Sequence, residues 1–183
     1  MNLKSLTYIF LTIFVTISCS VEENSFNKVS WSLSEGVKFP EGNRLSRAED
    51  GVMLADGTLI VADQRYGLAK IDLIGNVIPF GDFEALNYEH NPPKVESGPN
   101  GVHLTPDKKY VITADVFNGK IYKTSIEDNF TEIIYAHKYG ANTAREDSTG
   151  SIWFTQSTEN QNEERLFGAL DKALPDGALF RLP

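Results

Sequence analysis

The sequence predicts an all-β protein built from repeated antiparallel sheets, and three observations carry that prediction. The first is residues 98–126, GPNGVHLTPDKKYVITADVFNGKIYKTSI, where three apolar runs are separated by strong turn formers. The runs are Val102–Leu104, Tyr110–Ala114 and Lys120–Tyr122, with Pro106-Asp107-Lys108 and Asn118-Gly119 between them. Asn118-Gly119 suits a tight type I′ hairpin, whose two central residues both need positive φ. The second observation is that this pattern recurs on either side. The third is that helical spacing is confined to residues 160–174, through Leu166, Ala169, Leu170 and Ala173.

Taken in order, the chain opens with Met1-Asn2-Leu3-Lys4, an apolar run from Leu6 to Ile17, and then Ser18-Cys19-Ser20. A basic start, a short apolar stretch and a small residue at the cut form a secretory signal. The run is too short to span a membrane comfortably. Thr16-Ile17-Ser18-Cys19 resembles the lipobox of bacterial lipoproteins, with Thr16 where Leu is more usual. That resemblance implies that residues 1–19 are a signal peptide and that Cys19 carries the lipid. The mature protein would then sit at the bacterial cell envelope, on the periplasmic or outer-membrane side, held by acyl chains alone. An ordinary signal peptide with an incidental cysteine is the alternative.

Residues 20–36 read as a polar tether leading into a first strand, in which Trp31, Leu33, Val37 and Phe39 roughly alternate. Pro40–Arg47 is polar and reads as a loop. Residues 48–80 then give the first copy of the repeat. Asp50-Gly51-Val52 aligns with Asn100-Gly101-Val102, Leu54 with Leu104, the Asp56-Gly57 turn with Pro106-Asp107-Lys108, and Ala62-Asp63 with Ala114-Asp115. Val77–Phe80 is its outermost strand. Residues 98–135 are the second copy, with Phe130–Tyr135 outermost. Residues 141–183 are the third, with a turn at Asp147–Gly150, a strand at Ser151–Thr155 and a last strand at Gly177–Leu182. A short helical or irregular insertion, residues 160–174, separates those last two strands. The copies are offset by 50 residues from Asp50 to Asn100 and by 42 from Asn100 to Asn142.

Repeats of this length, each of three or four short strands, are blades of a β-propeller or a related array. A lone blade cannot bury both faces of its sheet, so the blades must stack. A closed propeller takes at least four blades and often six, so residues 37–183 are read as part of a propeller. The missing blades would follow in a longer chain, or alternatively come from another chain.

Composition narrows the function. The 183 residues are 41% hydrophobic and 11% aromatic, ordinary for a globular protein. A formal charge of −8, with no basic run after the first few residues, excludes a nucleic-acid surface. The single cysteine excludes an intramolecular disulfide and a thiolate metal cluster. Gly-rich phosphate loops, Gly-x-Ser-x-Gly elbows and His-Glu-x-x-His helices are absent from the sequence.

In a propeller, ligands sit at one end of the channel, beside the start of each innermost strand. Those positions are Glu49-Asp50, Asn100 and Asn142, a set of carboxylate and amide oxygens of the kind a hard cation such as Ca²⁺ requires. Asp50, Asn100 and Asn142 have an alternative use, since Asx side chains also cap turns. Asp63 and Asp115 end second strands, where Asp commonly binds a loop amide. His103 reads as a packed or hydrogen-bonded strand residue, His90 and His137 as loop residues without partner spacing, and Trp153 and Phe154 as core and inter-blade packing.

The blade motif Pro99-Asn100-Gly101, apolar strand, Pro106-Asp107 turn and strand ending Ala114-Asp115 resembles the six-bladed propellers of the senescence-marker-protein/gluconolactonase/luciferin-regenerating-enzyme-like family. Residues 46–63 resemble the opening blade of that family and of the related paraoxonases. Residues 151–182 resemble strictosidine-synthase-like propellers, with Gln156 where Asp is usual. The resemblance implies a lactonase or related esterase that uses Ca²⁺, with Zn²⁺ as the other option, and a small-molecule substrate. It places metal ligands at Glu49 and Asn142, and at Asn100 less regularly. The family's general base lies on a later blade, which leaves Asp50 as this sequence's only candidate for that role. The alternative expectation is a non-catalytic propeller serving as a binding scaffold at the cell envelope.

Overall fold

Most of the described strands lie where an apolar run meets a turn. The computed structural model describes residues 36, 38–42, 44–94, 96–161, 164 and 175–183, and its strands all fall within the unit Val37–Pro183. The signal peptide, Cys19, nearly all of the tether, Trp31, Leu33, Val37 and the insertion from Leu166 to Ala173 lie outside the described residues. Phe39, the end of the expected first strand, lies in a bend. Among the described residues no helix is long and apolar enough to cross a membrane.

The protein is all-β, with three consecutive blade-like sheets. Strands β1 (Gly51–Met53), β2 (Leu59–Asp63), β3 (Gly67–Ile71) and β4 (Val77–Phe80) form the first, antiparallel and in chain order. Strands β5 (Pro99–Leu104), β6 (Tyr110–Asp115), β7 (Lys120–Ser125) and β8 (Thr131–Ala136) form the second in the same way. Strands β9 (Thr143–Glu146), β10 (Ile152–Gln156) and β11 (Ala178–Leu182) form the third.

One aspartate organises the turn between first and second strands in each sheet. Asp56 Oδ1 accepts from the Thr58 N–H at 3.0 Å. Asp107 Oδ1 accepts from the Thr105 hydroxyl at 2.6 Å and the Lys109 N–H at 3.0 Å. Asp147 Oδ1 accepts from the N–H groups of Thr149 at 2.8 Å and Ser151 at 3.1 Å. These side chains replace backbone partners that a short turn cannot supply.

The connection at Asn118-Gly119 differs from the expected type I′ hairpin. It comprises the four residues between Asp115 and Lys120, and of Asn118 and Gly119 only Gly119 has positive φ, 72°. Asn118 instead uses its side chain: Oδ1 accepts from the Lys120 N–H at 2.9 Å, and Nδ2 donates to Asp115 at 3.1 Å. Asp115 carries the turn, so a two-residue loop is unnecessary.

The sheets stack through two apolar seams. Ile60, Ala62, Leu68, Phe80 and Phe83 meet Val102, Val111 and Tyr122 at the first. Ile112, Ala114 and Ile121 meet Ala141, Ala144, Ile152 and Phe154 at the second. Successive strand residues point to opposite faces. Thus Val111 serves one seam and Ile112 the other, and Ile121 and Tyr122 divide likewise. The middle sheet is buried on both faces.

The same alternation corrects the expectation for Trp153. Phe154 is buried in the second seam, but Trp153 faces the other way and is 38% exposed. Its indole N–H donates to Asp147 Oδ2 at 2.8 Å, and Arg181 lies over its ring. The Thr149 hydroxyl, the Trp153 indole and the Thr149 and Ser151 amides hold the Asp147 carboxyl well below its ordinary value of 3.8. A depressed folded pKa contributes stability that is present above the unfolded value and lost as pH falls through the folded one. In a Trp31→Phe background, Trp153 emission is therefore expected to stay constant from neutral pH down to 3.8 and to change only below it. An inflection at or above that pH, with far-ultraviolet circular dichroism unchanged, would contradict the assignment.

Candidate functional site

The innermost strands β1 and β9 both neighbour β5; Glu49 and Asp50 lie just before β1, Asn142 lies just before β9, and Asn100 is the second residue of β5. Two buried carboxylates set the positions of those segments. Asp63, at the end of β2, accepts from the Ser46 N–H and the Arg65 N–H, both at 2.9 Å, and pairs with the Arg65 guanidinium at 2.9 Å. Asp115, at the end of β6, accepts from the Gly98 N–H on both oxygens at 3.0 Å. It also accepts from the Phe117 and Asn118 amides at 2.8 and 3.0 Å. Each aspartate thus ties the end of a second strand to the chain entering the first. Burial pushes the Asp115 pKa up, against the donated amide hydrogens of Asn118, Gly98 and Phe117. Burial also raises the phenols of Tyr88 and Tyr122 that share its surroundings.

Gln156 stands at the corresponding place on β10 and works differently. Its Oε1 lies 2.8 Å from His137 Nε2, and its Nε2 donates to the Asp176 carbonyl at 2.7 Å. His137 lies in the loop after β8, as expected, but it has a partner there, which its spacing did not suggest. It also packs against Phe154 and Phe180, with ring centroids 5.1 and 4.8 Å away.

The structure joins Asn100 and Asn142 directly. Asn100 Nδ2 donates to the Asn142 carbonyl at 3.1 Å and lies 3.4 Å from its Oδ1. The Gly101 N–H donates to the same carbonyl at 3.1 Å. Asp50 reaches the same strand from the other side: its Oδ2 accepts from the Val102 N–H at 3.0 Å, while its Oδ1 accepts from Gly51 at 2.8 Å. Glu49 is not drawn into this group. It pairs with Arg47 at 3.2 Å, and its side chain is 43% exposed.

Among the described residues no three His, Cys, Asp or Glu side chains gather as a metal site. The candidate donors are instead the Glu49 carboxylate, paired with Arg47, and the amide oxygens of Asn100 and Asn142. Their chemistry fits a hard cation, which takes six to eight oxygens. The fit requires Glu49 to leave Arg47, and the remaining ligands would come from water or further chain.

His103 and Arg145 were not singled out as site residues by their spacing. His103 Nε2 lies 2.7 Å from Thr143 Oγ1 and 4.0 Å from Asp50 Oδ2. Its pKa is lowered first by burial and next by the Arg145 charge, with Asp50 opposing. The available signal was that His103 follows Gly101 by two residues, on the same face of β5. Arg145 carried no motif signal.

Sheet order, register and seams define a blade-built protein of β-propeller type. No sequence-family model matches the chain, and no curated protein matches it. Among solved structures it is similar to a Thermus thermophilus protein provisionally described as an oxidoreductase (glucose dehydrogenase), at 16% identity and a TM-score of 0.46. That match covers 76% of this chain and 44% of the other. A second similarity, to a provisionally described gluconolactonase, has 18% identity and a TM-score of 0.46, covering 79% and 50%. A third, to the holo form of the pyranose dehydrogenase PQQ domain from Coprinopsis cinerea, has 9% identity and a TM-score of 0.40, covering 64% and 29%. The chain spans half or less of the length of each.

Proposed function

We propose that the chain is part of an exported, lipid-anchored, metal-dependent hydrolase of the gluconolactonase-like group, acting on a lactone or related ester. The observation that supports this reading is the meeting of Asn100 and Asn142, from neighbouring sheets, at the mouth where Asp50 is also bonded to β5. Glu49, Asn142 and Asn100 would hold the cation, Ca²⁺ in preference to Zn²⁺ because every donor is oxygen. Such an ion supplies Lewis-acid polarisation of the substrate carbonyl.

The remaining roles fall to the chain itself. Asn100 fixes the Asn142 backbone and side chain by its two contacts. Asp50, anchored by two amides and open on its exposed side, would accept the proton of the attacking water. Asp63 and Asp115 hold the entering segments in register. A second reading, a binding scaffold without catalysis, is favoured by the Glu49–Arg47 pair, which occupies the carboxylate the cation would need.

The test is hydrolysis of δ-gluconolactone and simple γ- and δ-lactones by the full-length protein, with Ca²⁺ or Zn²⁺ and after chelation. Chelation is expected to abolish turnover. Glu49→Gln is expected to lower it by roughly 100-fold, the scale seen when support for a catalytic metal is removed. Activity indifferent to both chelator and Glu49→Gln would sink the hydrolase reading. Cys19→Ser is expected to release the protein from the membrane fraction.

A further inference from the structure

The segment entering β1 is fixed at both ends. At Ser46, the N–H donates to Asp63 Oδ2 at 2.9 Å and the carbonyl accepts from the Gln64 N–H at 2.8 Å. At Asp50, the carbonyl accepts from the Ala62 N–H at 2.9 Å, and Oδ2 accepts from the Val102 N–H at 3.0 Å. Arg47 lies between these anchors with a φ of 47°, in the left-handed region that L side chains rarely adopt. Such a backbone persists where its surroundings over-determine it.

The Arg47 side chain is what the surroundings hold. Its Nη1 donates to the Pro99 carbonyl at 3.4 Å, and its guanidinium carbon lies 5.2 Å from the Phe117 ring centroid. Both of those residues belong to the second blade. Its Nη2 pairs with Glu49 Oε1 at 3.2 Å. The pair is asymmetric. Arg47 keeps Pro99 and Phe117 when Glu49 leaves, whereas the Glu49 side chain is held by Arg47 alone among the described residues. The two side chains are 26% and 43% exposed, so water screens their attraction and the pair opens at modest cost. A divalent cation taking the amide oxygens of Asn100 and Asn142 can therefore draw Glu49 away, while the guanidinium stays docked on the second blade.

We propose that Arg47 is an internal competitor of the cation at the mouth: it holds the Glu49 carboxylate and yields it only in exchange for a divalent cation. The proposal rests on the reading of Glu49 as a cation ligand, and it supplies the regulation of that site. The exchange sets a threshold, because the ion must outbid a cationic group already tethered two residues away. It also conserves the mouth's shape, since the segment from Ser46 to Asp50 is pinned at both ends and side chains alone change partners. Once Glu49 has turned to the ion, one edge of the Arg47 guanidinium is released. The cation concentration then decides which of the two arrangements the segment presents.

The experiment titrates CaCl2 into the chelator-treated full-length protein by calorimetry. Arg47→Gln is expected to tighten Ca²⁺ binding about fivefold, the upper factor for a partly exposed ion pair. Arg47→Lys, which keeps the charge but gives up the planar fork, should fall between the two. Arg44→Gln, whose guanidinium donates to the Gly75 carbonyl, should match the parent. A second measurement uses the unaltered protein and stands even where Arg47→Gln does not fold. Phenylglyoxal labelling of Arg47, followed by peptide mass spectrometry, should speed up at least threefold with saturating Ca²⁺, while Arg44 labelling stays constant. Equal Ca²⁺ affinity in a folded Arg47→Gln protein, or Arg47 labelling indifferent to Ca²⁺, would each overturn the exchange and leave the cation site standing. Absence of Ca²⁺ binding in parent and variant alike would overturn the exchange together with the metal-dependent reading. A protein that shows the exchange but hydrolyses no lactone keeps the competitor and loses the hydrolase.

Discussion

Replacing Asp115 with Ala is expected to destabilise the protein by about 4 kcal/mol, read as a fall in the urea midpoint. Asp115 is fully buried, and its carboxylate accepts from Gly98, Phe117 and Asn118 amides and from the Asn118 side chain. Alanine leaves those donors unsatisfied in a site water does not reach, at roughly 1–3 kcal/mol for each stranded group. Partial relaxation of the turn keeps the total below a simple sum. Asp115→Asn keeps one acceptor oxygen and is expected to lose about half as much. The Gly98 amide should also lose its hydrogen-exchange protection in the alanine variant, because that bond ties β6 to the chain entering β5. Retention of both midpoint and protection would show that the network is dispensable.

Gly101→Ala is expected to cost about 3 kcal/mol, the upper end for forcing extra volume into a packed interior. A Cβ at this position would lie 2.7 Å from both Cα and Cβ of Thr143. Those atoms are, or directly adjoin, backbone of β9, so no flexible side chain can yield. Relief requires β5 and β9 to separate. That movement strains the Gly101–Asn142 bond and the two Asn100–Asn142 contacts together. On the proposed hydrolase reading, lactone turnover should fall with stability in this variant, whereas Gly150→Ala, with open space around it despite its φ of 84°, should leave turnover unchanged. A Gly101→Ala protein as stable as the parent would show that the strands are not in close register.

The strands were legible because turn chemistry and apolar runs are both local. Asp56-Gly57, Asp107-Lys108 and Asp147–Gly150 each announce a turn whose partner strands lie within a few residues, and the structure places strands on both sides of each. The Asn118-Gly119 connection shows the limit of that logic. The dipeptide fits two turn geometries, and the choice was made by Asp115, whose other ligand, Gly98, lies 17 residues earlier. Trp153 shows a different kind of limit: adjacent strand residues cannot share a face, so Phe154 in the seam places Trp153 outside it.

The candidate site was legible only as positions. That Asn100 and Asn142 follow similar places in the repeat can be read from one chain. That their side chains touch depends on how two sheets stack, which no local pattern encodes.

The middle sheet, buried on both faces, makes the stability of the array one-dimensional and unequal along its length. Among the described residues each flanking sheet shares one seam, but Val111 and Ile112, adjacent on β6, belong to different seams. An alteration of β6 backbone geometry is consequently felt in both described seams, while the same alteration in β2 or β10 is felt in one of them. Under native conditions the amides of β6 and β7 should be the last to exchange, and loosening there should release both flanking sheets in a single step. The second blade would then set the cooperative unit of the whole described array.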